Sequence, residues 1–228
     1  MRKSNRLLVA LGLLTALAAP LASPAAALAD EGGGAVISVA DYGAKPDSGE
    51  DSAQAIIKAI DKAEELSQQG ISSTIVFPVG RYDIYPDMAE ERELYVSNTV
   101  GQDQKYKMKK IGILLENAKN VTVDGQGSTF MFHGKMTTFA AIDCENITFT
   151  NFTVDFQVPT AIDLTVEKVE GNTATIYVPE CYNYKVNGSS VQWSSDTSPY
   201  TGETYWTASN KLTYTQRNHA APSQMPCG

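Results

Sequence analysis

Three carboxylates stand out in the middle of the chain, Asp124, Asp143 and Asp155, each beside a short apolar run, with His133 between them. Carboxylates and imidazoles exchange protons near neutral pH, so general acid–base work is the chemistry these residue types could do. Their settings differ. Asp124 opens the dipeptide Asp124-Gly125, a turn signature, and Asp143 ends an apolar strand, where its side chain would hydrogen-bond a turn. In Thr153-Val154-Asp155-Phe156, strict alternation sets Asp155 opposite Val154, facing outward if Val154 is in the core. A carboxylate on an exposed groove floor can bind hydroxyls or act as an acid or base, which makes Asp155 the catalytic candidate, although surface aspartates are common without any role. His133-Gly134 follows a strand and could line the same groove; a lone histidine also serves as a structural group.

Other chemistries are poorly supported. Cys144, Cys181 and Cys227 match no metal spacing, and an odd count in an exported chain leaves at least one unpaired. Cys144 sits in an apolar stretch and reads as a small buried residue. His133 and His219 are too few and too far apart for zinc. No phosphate loop, nucleotide motif or G-x-S-x-G elbow occurs, so neither a metal nor a cofactor is expected. The formal charge is −8, and removing Arg2, Lys3 and Arg6 with a leader takes it to −11. That balance opposes nucleic acid and anionic lipid, both of which need clustered Lys and Arg. The one basic run, Lys105–Lys110, lies among acidic segments and reads as a solvated loop.

The elements that must position these groups follow from periodicity. Residues 1–29 carry a basic start, an apolar run from Leu7 to Ala19 and the exit Ala27-Leu28-Ala29, the pattern of a secretion signal too short to span a bilayer. A secreted or otherwise extracytoplasmic chain, free of membrane once the signal is removed, is expected. Val36–Val39 reads as a strand. Asp51, with Gln54 as capping-box partner, opens a helix whose apolar stripe is Ala53, Ile56, Ile60, Ala63 and Leu66, stopped at Gly70. Thr74–Phe77 and the segment after Gly80 are further strands. Asn120-Val121-Thr122-Val123 is then echoed 26 positions later by Asn146-Ile147-Thr148-Phe149, with an apolar run before each copy and a strand after it. A period in the 20s with several short strands and no intervening helix is the pattern of a solenoid. Three strands per period suit a parallel β-helix, in which Asn120 and Asn146 would stack at equivalent turns. The helix would cap the raw edge of the first coil. Past Pro159, Ile162–Val169 and Thr173–Val178 alternate around Gly171-Asn172, an antiparallel hairpin with one wet face. The sequons at Asn120, Asn146, Asn151 and Asn187 read as turn residues generated by the repeat.

Two sets of residues carry a resemblance. Asp41-Tyr42-Gly43-Ala44-Lys45-Pro46-Asp47, the helix, and Ile75-Val76-Phe77-Pro78-Val79-Gly80-Arg81-Tyr82 resemble the N-terminal cap of the pectate-lyase-like β-helix superfamily. More narrowly, Gly80–Asp87 through Glu91–Asn98, and Val121–Phe130 through His133-Gly134 to Asn151–Asp155, resemble glycoside hydrolase family 110, the exo-α-1,3-galactosidases. The resemblance runs from about residue 36 to about 216. It implies inverting, metal-independent removal of terminal α-1,3-linked galactose from a glycan partner. It also implies a right-handed parallel β-helix to which β-barrel-like units attach. Tyr85, Arg92 and Tyr95 lie in its most distinctive stretch, and with His133 they become candidate sugar-binding residues, aromatic faces suiting pyranose rings and Arg donating to hydroxyls.

The expected fold class is therefore all-β: a signal at 1–29, cap and first β-helix coils at 30–158, an incomplete antiparallel, barrel-like unit at 159–216, and an irregular tail at 217–228. Family members run far longer, and their catalytic carboxylates are expected in later coils, so a truncated and inactive piece is the expectation. Two alternatives stay open: another β-helix polysaccharide hydrolase or lyase, and a non-catalytic carbohydrate-binding or surface protein. Oligomeric state is not legible.

Overall fold

The computed structural model describes residues 34–95 and 107–211. The leader expected at 1–29, residues 212–216 of the expected antiparallel unit, the tail expected at 217–228, and His219 and Cys227 lie outside the described residues. Within them the class is all-β with one α-helix, α1 (Ala53–Gln68). The first eight strands are β1 (Ala35–Ser38), β2 (Ser73–Val76), β3 (Arg81–Ile84), β4 (Glu90–Glu93), β5 (Met108–Glu116), β6 (Lys119–Phe132), β7 (Thr137–Ile142) and β8 (Glu145–Phe156).

The echoed segments pair as the repeat requires. β6 and β8 run parallel with Val121 opposite Ile147 and Val123 opposite Phe149, and β5 and β7 run parallel with Ile113 opposite Phe139. β2 and β3 both pair parallel to β6, at Ser73–Val121 and Arg81–Thr129, and β1 pairs parallel to β2. The two strands expected in each copy are continuous. β6 and β8 each bend where the backbone turns left-handed, at Gln126 (φ 51°) and Asn151 (φ 58°). Register shifts there, from Asp124–Thr150 before the bend to Ser128–Phe152 after it.

The turns stack as well. Asn120 and Asn146 are both left-handed (φ 56° and 55°), and Asn146 Nδ2 donates to Asn120 Oδ1 at 2.7 Å. Asn117 and Asp143 form a second left-handed pair. Asn tolerates this region better than most residues because its short amide bonds locally. Asp124 is the turn former expected of it, accepting from Gln126 N at 2.9 Å and Asn151 Nδ2 at 3.0 Å.

Alternation sends Val121, Val123, Phe130 and Phe132 of β6 into one core with Ile75, Phe77, Tyr82, Ile84, Ile113 and Leu115. The rings interlock: Phe130 lies 4.6 Å from Phe77 and 4.9 Å from Phe152. Each buried aromatic of this kind contributes about 1.5–3 kcal/mol by removal from water. Cys144 is a half-buried free thiol packed against this core.

Helix α1 buries Ala53, Ile56, Ile60 and Ala63 of the expected stripe, with Ala55 and Ala59 widening it and Leu66 half-buried. Gly70 (φ 75°) ends it, with Gly70 N donating to Ser67 O and Ile71 N to Leu66 O. The capping box is not made. Ser52 occupies the cap position, Asp51 Oδ1 accepts from Ala53 N at 2.9 Å, and Gln54 Nε2 reaches Met88 O instead. Tertiary contact outbids the local box because Gln54 finds a carbonyl on the segment leading into β4. The helix also covers strand backbone directly: Glu64 Oε1 accepts from Glu116 N at 2.7 Å, and Ser67 Oγ from Lys119 N at 2.6 Å.

β4 is antiparallel to β5, a pairing the repeat pattern did not announce. Past Pro159 the strands are β9 (Thr165–Glu170), β10 (Thr173–Tyr177), β11 (Asn183–Asn187), β12 (Ser190–Ser194) and β13 (Thr207–Lys211). β9 and β10 make the expected antiparallel hairpin, and β11, β12 and β13 a separate antiparallel sheet. The hairpin departs from expectation in one respect: every residue of β9 is exposed, Val166 and Val169 included, so both its faces are wet. A second small core forms around Tyr182, Val191 and Trp193.

Candidate active-site region

Charged groups converge where β3 and β6 end and the segment joining β12 to β13 packs against them. In β3, Tyr82 and Ile84 point into the core, so Asp83 faces the other side, yet it is only 2% exposed. Arg81 and His133 cover it. Arg81 donates through Nε and Nη2, the latter at 2.5 Å, and His133 Nε2 sits 2.8 Å from Asp83 Oδ1. His133, 4% exposed, immediately follows β6, its backbone N–H held by Ile84 O at 3.0 Å. Its other ring nitrogen, Nδ1, lies 2.5 Å from Asp196 Oδ2, and the Tyr85 ring stacks on the imidazole at 3.8 Å and 13°. Asp196 Oδ1 accepts from Gly134 N at 3.2 Å.

A second knot lies alongside. Asp87 accepts from Ser198 Oγ at 2.7 Å and from Tyr205 OH at 2.5 Å, while Asp51 accepts from Tyr85 N at 3.2 Å and Tyr200 OH at 3.3 Å. The antiparallel sheet thus docks through Asp196, Ser198, Tyr200 and Tyr205, all in the segment between β12 and β13.

The electrostatics are set by burial opposed by partners. Burial alone would raise Asp83, but hydrogen bonds and charge from His133 and Arg81 together hold it below the ordinary carboxylate value. Burial works against the His133 imidazolium, and the bonds and charges of Asp196 and Asp83 outweigh it, raising the ring's proton affinity. Burial, with the opposing bonds from Ala53, Tyr85 and Tyr200, leaves Asp51 raised. Tyr205 is driven well up by burial and by its bond to Asp87, so it stays a phenol. Carboxylates only accept, so His133 can donate to both neighbours at once only as imidazolium, and the buried ring is closed to a ligand.

Of the expected site residues, Tyr85 and His133 stand together. Asp155 shares their face: it pairs in register with Met131, which pairs with Asp83, so the three form one outward row across β8, β6 and β3. Asp155 Oδ1 accepts from Phe156 N at 2.7 Å. Val154 lies on the core row with Phe130 as alternation required, but it is 37% exposed because β8 pairs only with β6 among the described residues. Beside Asp155, Arg81 Nη2 also donates to Gln157 Oε1 at 2.9 Å. Arg92 and Tyr95 lie elsewhere, on and just after β4 in the second sheet. Arg92 bridges Glu116 at 2.8 Å and Glu90 at 2.8 Å, and Tyr95, 67% exposed, donates to Glu93 at 2.6 Å.

The residues missed were Asp51, Arg81, Asp83, Asp87, Asp196, Tyr200 and Tyr205. An Asp at an outward strand position, and Asp196 within Ser195-Asp196-Thr197-Ser198, carry the ordinary marks of surface and turn, so no local signal distinguished them. On another face, Thr74, Thr122 and Thr148, with Asn120 and Asn146, line a shallow uncharged cleft of about 210 Å³.

These parallel, in-register strands, left-handed Asn turns and capping helix define an all-β repeat protein. No family model matches the chain. Among curated proteins, "Alpha-1,3-galactosidase A" of Peterkaempfera griseoplana is 42% identical over 203 residues, covering 87% of this chain and 28% of that protein. "Alpha-1,3-galactosidase A" of Streptomyces avermitilis is 42% identical over 212 residues, covering 91% and 33% respectively. "Alpha-1,3-galactosidase B" of Bacteroides thetaiotaomicron is 42% identical over 124 residues, 54% of this chain and 19% of that one. The chain belongs to the α-1,3-galactosidase family, glycoside hydrolase family 110, and corresponds to its N-terminal part. It spans about a third or less of the length of these relatives.

Proposed function

We propose that this chain forms the cap and first coils of a right-handed parallel β-helix in an exported glycoside hydrolase acting on terminal α-1,3-linked galactose. The observation that carries the reading is 42% identity across about nine-tenths of the chain to a relative named for that activity. The parallel 26-residue register of β5–β7 and β6–β8 supports the β-helix, and the leader-like residues 1–29 support export. No nucleic-acid partner fits its charge.

Inverting hydrolysis needs two carboxyls roughly 6.5–9.5 Å apart, one to protonate the leaving oxygen and one to activate water, and it needs no metal. In the described residues the carboxylates beside Tyr85 and His133 are committed to internal bonds, Asp83 and Asp196 to the imidazole and Asp87 to Ser198 and Tyr205. Asp155 faces outward beside Arg81 and Gln157 and is suited to holding sugar hydroxyls. The reading is therefore of a chain that contributes scaffold and sugar contacts and does not turn over by itself. Residues 30–228, assayed with α-1,3-galactobiose, should bind the disaccharide in saturation-transfer NMR and release no galactose. Galactose release would overturn the expectation of inactivity. Binding of polygalacturonate with none of galactobiose would point to a different β-helix enzyme.

A further inference from the structure

The segment between β12 and β13 meets the parallel unit through a cluster of ionisable groups. Among the described residues, Asp51, Asp83, Asp87, Asp155 and Asp196 gather there with Arg81 and His133 as their basic neighbours and Tyr85, Tyr200 and Tyr205 as the other titratable ones. Arg81 is spent on Asp83 and Gln157. His133 alone joins a carboxylate of the parallel unit to one of the docked segment, its two nitrogens at 2.8 and 2.5 Å from Asp83 and Asp196. Neutral imidazole carries one N–H, so losing the proton must set a ring lone pair against a carboxylate lone pair in a site closed to water. The same loss removes a positive charge from beside Asp83 and Asp196.

We propose that His133 is a protonation-dependent latch: as imidazolium it clamps Asp196 onto the parallel unit, and as neutral imidazole it releases Asp196 and loosens the docked segment, which Asp87 and Asp51 still hold through Ser198, Tyr205 and Tyr200. The latch does not depend on which sugar, if any, the molecule binds. Its direction follows from His133's raised proton affinity: closed below the ordinary histidine value of 6.5, it opens as pH rises through the higher folded-state value. Tyr85, stacked flat on the ring, stays in place on β3's side, so opening is confined to the Asp196 side.

The test is hydrogen exchange of the intact chain from pH 5.5 to 9, corrected for intrinsic rates, reading the amides of Gly134, Ser195 and Trp206, whose bonds span or brace the docked segment. Protection at these amides should fall about tenfold or more across a single-proton step on the alkaline side, while Val121 and Val123 hold theirs. In His133→Gln the step should vanish, leaving protection low at every pH. Asp196→Asn keeps the shape, and with Oδ1 on Gly134 N its amide can donate to a neutral Nδ1, so protection should no longer fall on the alkaline side, which keeps the test decisive if His133→Gln folds poorly. The nitrogen shifts of His133 should titrate above the ordinary histidine value of 6.5. Flat wild-type protection across the range, a step that survives in His133→Gln, or a His133 ring that titrates at or below 6.5 would each overturn the latch.

Discussion

Asn146 shows how much one side chain decides. Its backbone is left-handed and its amide donates to Asn120, so it holds a turn and links two repeats at once. Asn146→Ala should cost about 2 kcal/mol in urea unfolding, part of it the left-handed backbone and part the lost bond. Asn146→Gly, which accepts that backbone, should cost about 1 kcal/mol. Equal losses in the two variants would show that backbone conformation is irrelevant at this turn. Asp83 is the opposite case, a charge whose value lies in its neighbours. Asp83→Asn strands His133 and leaves Arg81 without its anion, and should cost about 3 kcal/mol at pH 5.5. Asp83 is held low, so its contribution is present above the ordinary carboxylate value of 3.8 and fades as pH falls through its lower folded value. The variant's deficit should therefore shrink on strong acidification; a deficit that grows below pH 3 would contradict this assignment.

At the level of elements, α1 acts as a substitute strand. A sheet edge leaves N–H groups without partners, and here Glu64 and Ser67 accept from Glu116 and Lys119 while the apolar stripe covers the core. Ser67→Ala should lower stability by about 1 kcal/mol and speed exchange of the Lys119 amide, leaving Phe132 unaffected. An unchanged Lys119 exchange rate would remove the helix's claim to hydrogen-bond the edge. The stripe itself was readable from spacing because a helix repeats every 3.6 residues whatever it packs on. The capping box was not, since Gln54's partner Met88 is 34 positions away and nothing local announces it.

For the whole molecule, the main question is how the antiparallel sheet sits on the parallel unit. Gly134 marks a close approach: it is left-handed (φ 61°), and a methyl there would lie 2.7 Å from the Tyr205 ring. Gly134→Ala should cost about 1–3 kcal/mol and weaken docking, read as faster proteolysis between 195 and 206. Cleavage there at the wild-type rate would mean that the contact is dispensable. Docking also explains why the buried cluster was invisible in sequence. Asp83 and Asp196 are 113 positions apart, and each is ordinary in its own segment.

Periodicity, turn residues and alternation by themselves determined the all-β class, the parallel register of the Asn-led repeats, the stripe of α1 and the outward setting of Asp155. These are consequences of side-chain spacing acting over a few residues or one repeat. Only the tertiary structure decided that His133 is walled in between two aspartates, that Arg92 and Tyr95 sit apart from it, and that β9 leaves its valines wet. Burial and ionic partnership are properties of which distant surfaces meet, and the free energy of a charge depends on that meeting more than on its neighbours along the chain.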